Sequence, residues 1–218
     1  MKSDGNKVKE TLINITNVIE ENKDYLCALD SEVGDGDHGV SMTIGMRTAR
    51  KALLALQNPT PESAFRAVAD AFADEVGAAS GVLYETAFEA AAKSAAGKRM
   101  LETPADWASV LEAVANEIQS VGKVQLGDKT MYDAWQPAAD ALRHAANNNE
   151  SLQSALGKAT TAALKGVEDT KNLIPKRGRA SRLGERARGH QDAGATSAYL
   201  MIKTIEESLA GQTQQIRK

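Results

Sequence analysis

A chain of 218 residues that is 42% hydrophobic but only 4% aromatic is long enough to bury a substantial core, yet poor in the residues that favour sheets. Its net charge of -3 offers no field to recruit nucleic acid, and its single cysteine, Cys27, excludes an internal disulfide framework and a cysteine-based zinc site. No apolar run reaches the ~20 residues of a membrane span and Met1-Lys2-Ser3-Asp4-Gly5 lacks a signal's apolar stretch, so a soluble cytoplasmic protein is expected, with neither membrane nor nucleic acid as partner.

The spacing of Val8, Leu12, Ile15, Ile19 and Leu26 predicts a first helix over 6–29. A glycine-rich acidic loop from Asp30 to Gly39 follows, then a second helix from about Ser41 with Ile44, Ala49, Leu53 and Leu56 in register. Thr60-Pro61-Glu62 reads as a cap followed by proline in the first turn, opening a third helix through Phe65, Val68, Phe72 and Val76. Gly77 ends it, and a fourth helix runs from about Gly81 to Ala96. Thr103-Pro104-Ala105-Asp106 has the form of a capping box and opens a fifth helix through Trp107, Leu111 and Ile118. A loop over 121–129 leads to a sixth helix through Trp135, Ala138 and Leu142, ended by a turn at Asn147-Asn148-Asn149. The seventh helix covers about 151–170 and the eighth 194–209, separated by a glycine-rich, basic linker over 172–191. The expectation is one all-α domain over 1–218, an eight-helix antiparallel up-and-down bundle in which the connections after helices one, three, five and seven share one end.

Those four connections carry the candidate chemistry. In the first, Asp35 and Asp37 alternate with glycines and Asp30 stands just upstream at the end of helix one; three carboxylates drawn together repel unless a cation neutralises them. The glycines let main-chain N–H groups approach an anion, and the loop feeds a helix N-terminus, so a metal–polyphosphate site is the reading. A calcium loop of the EF-hand type fails, because Ser41 stands at the twelfth position where a bidentate Glu belongs. His38 reads equally as a ligand or as a loop-packing residue. Gly77-Ala78-Ala79-Ser80-Gly81 offers bare N–H groups and a hydroxyl, or simply a close helix contact. Gly127-Asp128-Lys129-Thr130-Met131 reads first as a helix cap. The arginines of the linker, Arg179 among them, suit phosphate through the guanidinium fork.

Taken together, Asp30…Gly34-Asp35-Gly36-Asp37-His38-Gly39, Ala79-Ser80-Gly81, Gly127-Asp128-Lys129-Thr130-Met131, Gly178-Arg179-Ala180-Ser181 and Gly189-His190-Gln191-Asp192 resemble the L subunit of dihydroxyacetone kinases over nearly the whole chain. The resemblance implies an eight-helix barrel with a nucleotide at one end. It implies two Mg²⁺ ions on Asp30, Asp35 and Asp37, and ADP or ATP contacted by His38, Gly39, Val40, Ser41, Ala79, Ser80, Gly122, Met131, Arg179, Asp192, Ala193 and Gly194. It implies a separate K subunit that holds a short ketose covalently, so no catalytic residue is assigned in this chain. The phosphate donor is left open between exchanging ATP and bound ADP recharged by a phosphocarrier of a phosphotransferase system. Val82, Glu85 and Ala193 stand where the family usually has proline, glycine and proline, which bears on the identity of the sugar. Two other functions fit the residues: a nucleotide-dependent regulator of a transcription factor, and a metal-binding helical module.

Overall fold

The structure, a computed structural model, describes residues 5–75 and 79–210, with the side chains of Glu75, Ala79 and Ser80 also outside the description. Within it lie α1 (Gly5–Glu21), α2 (Lys23–Val33), α3 (His38–Ala55), α4 (Pro61–Glu75), α5 (Ala79–Ser94), α6 (Pro104–Gly122), α7 (Tyr132–Asn147), α8 (Leu152–Asp169) and α9 (Ala193–Ala210). From α3 onward each helix packs on its successor, and α1 packs on both α3 and α9. The ring therefore closes as an eight-staved barrel of α1 and α3–α9. α2 is an added segment lying against α3 and α9 at one end.

The predicted first helix is thus two. Asn22 adopts φ -94° and ψ 10°, and its side-chain amide donates to the Val18 carbonyl at 2.8 Å. The same carbonyl also accepts from the Asn22 N–H at 3.1 Å, and a side chain sharing a ladder acceptor in this way bends helices. α2 continues past Asp30 to Val33, so Asp30 stands on a helix and the acidic loop shrinks to 34–37. α3 correspondingly begins at His38, earlier than the apolar periodicity marks.

Small residues set the spacing of the staves. Ala92, Ala108, Ala115, Ala138, Ala159 and Ala163 are all fully buried. The interior is filled by Met46, Trp107, Leu111, Leu142 and Met201, and by a cluster of Phe72, Tyr84 and Phe88 with ring centroids 5.6–6.3 Å apart. α7 runs through Pro137 without ending. Proline removes the N–H that the Asp133 carbonyl would accept, and Gly166 of α8 packs directly over that carbonyl. A β-carbon at Gly166 would collide with that carbonyl, so glycine lets α7 and α8 pack tightly there.

α6 opens on the predicted capping box. The Thr103 hydroxyl accepts from the Asp106 N–H at 3.1 Å, and the Asp106 carboxylate accepts from the Thr103 N–H at 3.1 Å. Partial burial alone would raise the Asp106 pKa, but the Lys98 ammonium and the Thr103 donors outweigh it and hold the carboxyl at about 2. The folded value lies below the unfolded one near 4, so this stabilisation is present above pH ~4 and is lost as pH falls toward 2. Asp106→Ala is expected to cost about 1–2 kcal/mol in urea unfolding at pH 7, a difference that vanishes near pH 2. A constant difference across that range would contradict the role of the ionised carboxylate.

The glycine-rich, basic linker is folded. It forms 3-10 turns at Thr170–Asn172 and Arg179–Ala187, with Gly178 and Gly184 at positive φ, and lies against α2 and α8. Its neck is closed by the Gly189 N–H donating to the Lys171 carbonyl at 2.7 Å. No helix among the described residues is long and apolar enough to cross a membrane.

Candidate functional site

The end of the barrel that carries α2 holds a cleft of about 610 Å³, within the range of small-molecule sites. The α2–α3 junction supplies Asp30, Asp35, Asp37 and His38. The ends of α5 and α6 supply Val82, Leu83, Ile118, Val121 and Gly122, and the following loop supplies Val124 and Lys129–Met131. The linker and the start of α9 supply Arg177–Ala180 and Asp192–Gly194. One wall is charged and the other apolar, the two chemistries that a phosphorylated heterocycle needs.

The three aspartates meet. One carboxylate oxygen from each of Asp30, Asp35 and Asp37 lies within 4.8 Å of the others. Helix α2 fixes Asp30, whose Oδ2 accepts from the Asp37 N–H at 3.0 Å and the His38 N–H at 3.3 Å. Those two bonds fold the loop back so that Asp35 and Asp37 face Asp30. Gly36 makes the turn possible at φ +76°, a conformation that side chains resist. The Arg179 guanidinium pairs with Asp35 and, at 3.2 Å, with Asp37. An all-oxygen donor set neutralised by a borrowed cation fits a hard divalent ion such as Mg²⁺ or Ca²⁺.

His38 starts α3 and lines the cleft, its Nε2 3.0 Å from the Ser197 hydroxyl, which also meets the Tyr84 hydroxyl at 3.1 Å. Burial lowers the imidazole pKa to about 4 against the opposing charge of Asp30, so the ring is neutral at pH 7. Burial likewise raises Tyr84 to about 12. This chain of hydroxyls and imidazole ties α3, α5 and α9 together under the cleft floor.

Asp192 caps α9, its carboxylate accepting from the Ala195 N–H at 2.7 Å. Its surroundings strip it of water and raise its pKa to about 7; the Ala195 bond and Lys129 pull the other way, while Asp133 and Asp30 add to the rise. The folded value is above the unfolded one near 4, so the stability that this group contributes is complete below pH ~4 and is lost as pH climbs through 7. Asp192→Asn keeps the cap and removes the charge. It is expected to raise the melting temperature of the nucleotide-free protein at pH 8, by at least about 1 kcal/mol of stability, with no gain at pH 4. A melting temperature unchanged at pH 8 would show that the carboxylate is solvated.

Of the residues expected from sequence, Asp30, Asp35, Asp37, His38, Gly122, Met131, Arg179, Asp192, Ala193 and Gly194 all line the cleft. Gly39 is buried in the contact between α2 and α3, while Val40 is exposed and Ser41 part-exposed on α3; none of the three is among the lining residues. Gly77 and Ala78 lie outside the described residues, as do the side chains of Ala79 and Ser80. Sequence reasoning missed the apolar wall: Ile118 and Val121 sit one turn apart at the end of α6 and continue its core stripe past the barrel's edge. It also missed Lys129, which is buried, because a lysine in a glycine loop carries no mark of burial.

Comparison with known proteins identifies the family. Residues 32–207 match the DAK2 domain family. The chain is 36% identical over 194 residues to the "PEP-dependent dihydroxyacetone kinase 2, ADP-binding subunit DhaL" of Listeria innocua, covering 88% of this chain and 89% of that one. It is 34% identical over 188 residues to the corresponding ADP-binding subunit of Escherichia coli, covering 86% and 89%. Among solved structures, the dihydroxyacetone kinase of C. freundii in complex with AMP-PNP and Mg²⁺ superposes with a TM-score of 0.70 at 27% identity. That match covers 92% of this chain, which spans only 33% of the C. freundii chain. The acidic loop, the closed ring of staves and these likenesses converge: the chain belongs to the DAK2 domain family and is a DhaL-type kinase subunit.

Proposed function

We propose that this chain is the adenine-nucleotide-carrying subunit of a dihydroxyacetone-type kinase, holding ADP or ATP through two Mg²⁺ ions at the carboxylate cluster. The observation that carries the reading is the convergence of Asp30, Asp35 and Asp37 within 4.8 Å at the charged wall of a cleft whose other wall is apolar. When bound, Mg²⁺ supplies neutralisation of phosphate charge and polarises the transferring phosphoryl group. Asp30, Asp35 and Asp37 hold the metal, with Asp30 locked by its two main-chain donors. Arg179 leaves its carboxylate partners for phosphate oxygens, which its planar fork fits. The N-termini of α3 and α9, at His38 and Ala193, turn positive dipole ends to the same anion. Val82, Leu83, Ile118, Val121 and Met131 exclude water around the base. With the nucleotide fixed in this way, the chain contributes position and electrostatics to phosphoryl transfer, and no residue of its own forms a covalent bond.

The relatives matched over most of their length are named as ADP-binding subunits of kinases driven by phosphoenolpyruvate. On that likeness, the ketose is held by a separate K subunit, and ADP stays bound here to be recharged by a phosphocarrier. Titration calorimetry tests the reading: ADP is expected to bind with Mg²⁺ present and to lose nearly all affinity in EDTA. Equal binding in both would refute it. Mass spectrometry of the dialysed protein separates the donors, retained ADP supporting recharging and its loss supporting free exchange of ATP.

A further inference from the structure

Lys129 is only 2% exposed, and the proposed chemistry makes no use of it. Its ammonium donates to the carbonyls of His190 at 2.7 Å, Ala187 at 2.8 Å and Leu173 at 3.4 Å. An ammonium has three protons, and all three are spent on main-chain oxygens. Leu173 stands at the start of the long linker, Ala187 and His190 at its end. The backbone of Lys129 sits at φ +60°, which a side chain adopts only where its surroundings dictate it. Its neighbour reinforces the grip, since the Asp128 carbonyl accepts from the Lys176 N–H at 3.1 Å and the Asp128 carboxylate pairs with the Lys176 ammonium at 3.2 Å.

We propose that Lys129 is a positioning residue that clamps the neck of the 173–190 linker and so sets nucleotide affinity through Arg179 and Asp192, without itself touching phosphate. The inference rests on the nucleotide reading above. Between the clamped ends the chain rises over the cleft and delivers Arg179 to Asp35 and Asp37. Asp192 follows the clamped His190 by two residues and opens α9. Burial lowers the Lys129 pKa, with the charge of Asp192 acting against the change. A buried cation whose partners are all carbonyls of one segment has a tethering role. Released, that segment regains the conformational freedom of an open loop, and Arg179 is no longer held over the cluster.

The test uses Lys129→Met, which keeps the stem and removes the donors, and Lys129→Gln, which retains two donors should the first variant fold poorly. Hydrogen exchange of 172–190 in the nucleotide-free protein is expected to rise, with that of α4 and α5 unchanged. Affinity for ADP with Mg²⁺ is expected to fall on the order of 10–100-fold, as for other residues that orient a binding group. In an Arg179→Gln background the same change is expected to cost far less, because the two act through one contact. Unaltered linker exchange would overturn the clamp even if the wild type bound no nucleotide, a result that would fell only the nucleotide reading. A loosened linker with wild-type affinity, or fully additive losses, would overturn the positioning role.

Discussion

Asp35→Asn is expected to weaken Mg²⁺-dependent ADP binding by on the order of 100-fold or more, since even residues that merely support metal ligands cost 10–100-fold when replaced. The amide keeps the shape of the carboxylate but not its charge, leaving two carboxylates where the cluster has three. The fold is expected to be indifferent. Asp35 is about half exposed, and its pairing with Arg179 is a surface interaction contributing under about 1 kcal/mol. Far-UV circular dichroism and the melting curve should therefore match the wild type while calorimetric affinity collapses. Affinity retained within a few-fold would place the metal elsewhere.

Gly39→Ala is expected to damage both stability and binding. A β-carbon at this position would lie 2.0 Å from the Lys23 carbonyl and 2.8 Å from the Cys27 sulfur, closer than real contacts allow. The obstruction is mainly helix backbone, so α2 and α3 have to separate, and overpacking of this kind costs about 1–3 kcal/mol. Separation also pulls Asp30, on α2, away from the Asp37 and His38 N–H groups that it accepts from. A drop in melting temperature with loss of Mg²⁺–ADP affinity is the predicted pair. Gly97→Ala serves as the control, since Gly97 has φ +73° with nothing within 4 Å of an added β-carbon. That variant is expected to lose about 1 kcal/mol through backbone strain and to bind normally. Loss of affinity in the control, or normal stability in Gly39→Ala, would contradict the packing argument.

Much of this architecture is legible in the sequence. Thr103-Pro104-Ala105-Asp106 marks a helix start because its chemistry is local, and α6 begins there. The alternation of odd and even connections puts 30–39, 121–129 and 172–191 at one end on topology alone, and the cleft draws on all three. What was not legible depends on contacts distant in sequence. The helix break at Asn22 follows from a side chain bonding its own preceding turn, which periodicity does not register. Asp30 reads as loop because glycines crowd its downstream side, yet it stands on a helix that carries the apolar Val33 into the core. The tight packing that requires glycine at Gly39, against the backbone and sulfur of α2, is likewise invisible in the sequence. The long linker lacks apolar periodicity altogether. Its order comes from Lys129, Asp128 and Lys171 holding its main chain, partners that no pattern within the linker reveals.

The proposed function requires a metal seated between three carboxylates and a nucleotide. Crystals grown with Mn²⁺ and ADP give the most direct view, because Mn²⁺ scatters anomalously and takes the place of Mg²⁺. The prediction is anomalous density in contact with Asp30, Asp35 and Asp37 and with phosphate oxygens, the base against Val121 and Met131, and Arg179 turned from Asp35 to phosphate. Manganese bound away from these carboxylates, or ADP lying outside the cleft, would contradict it.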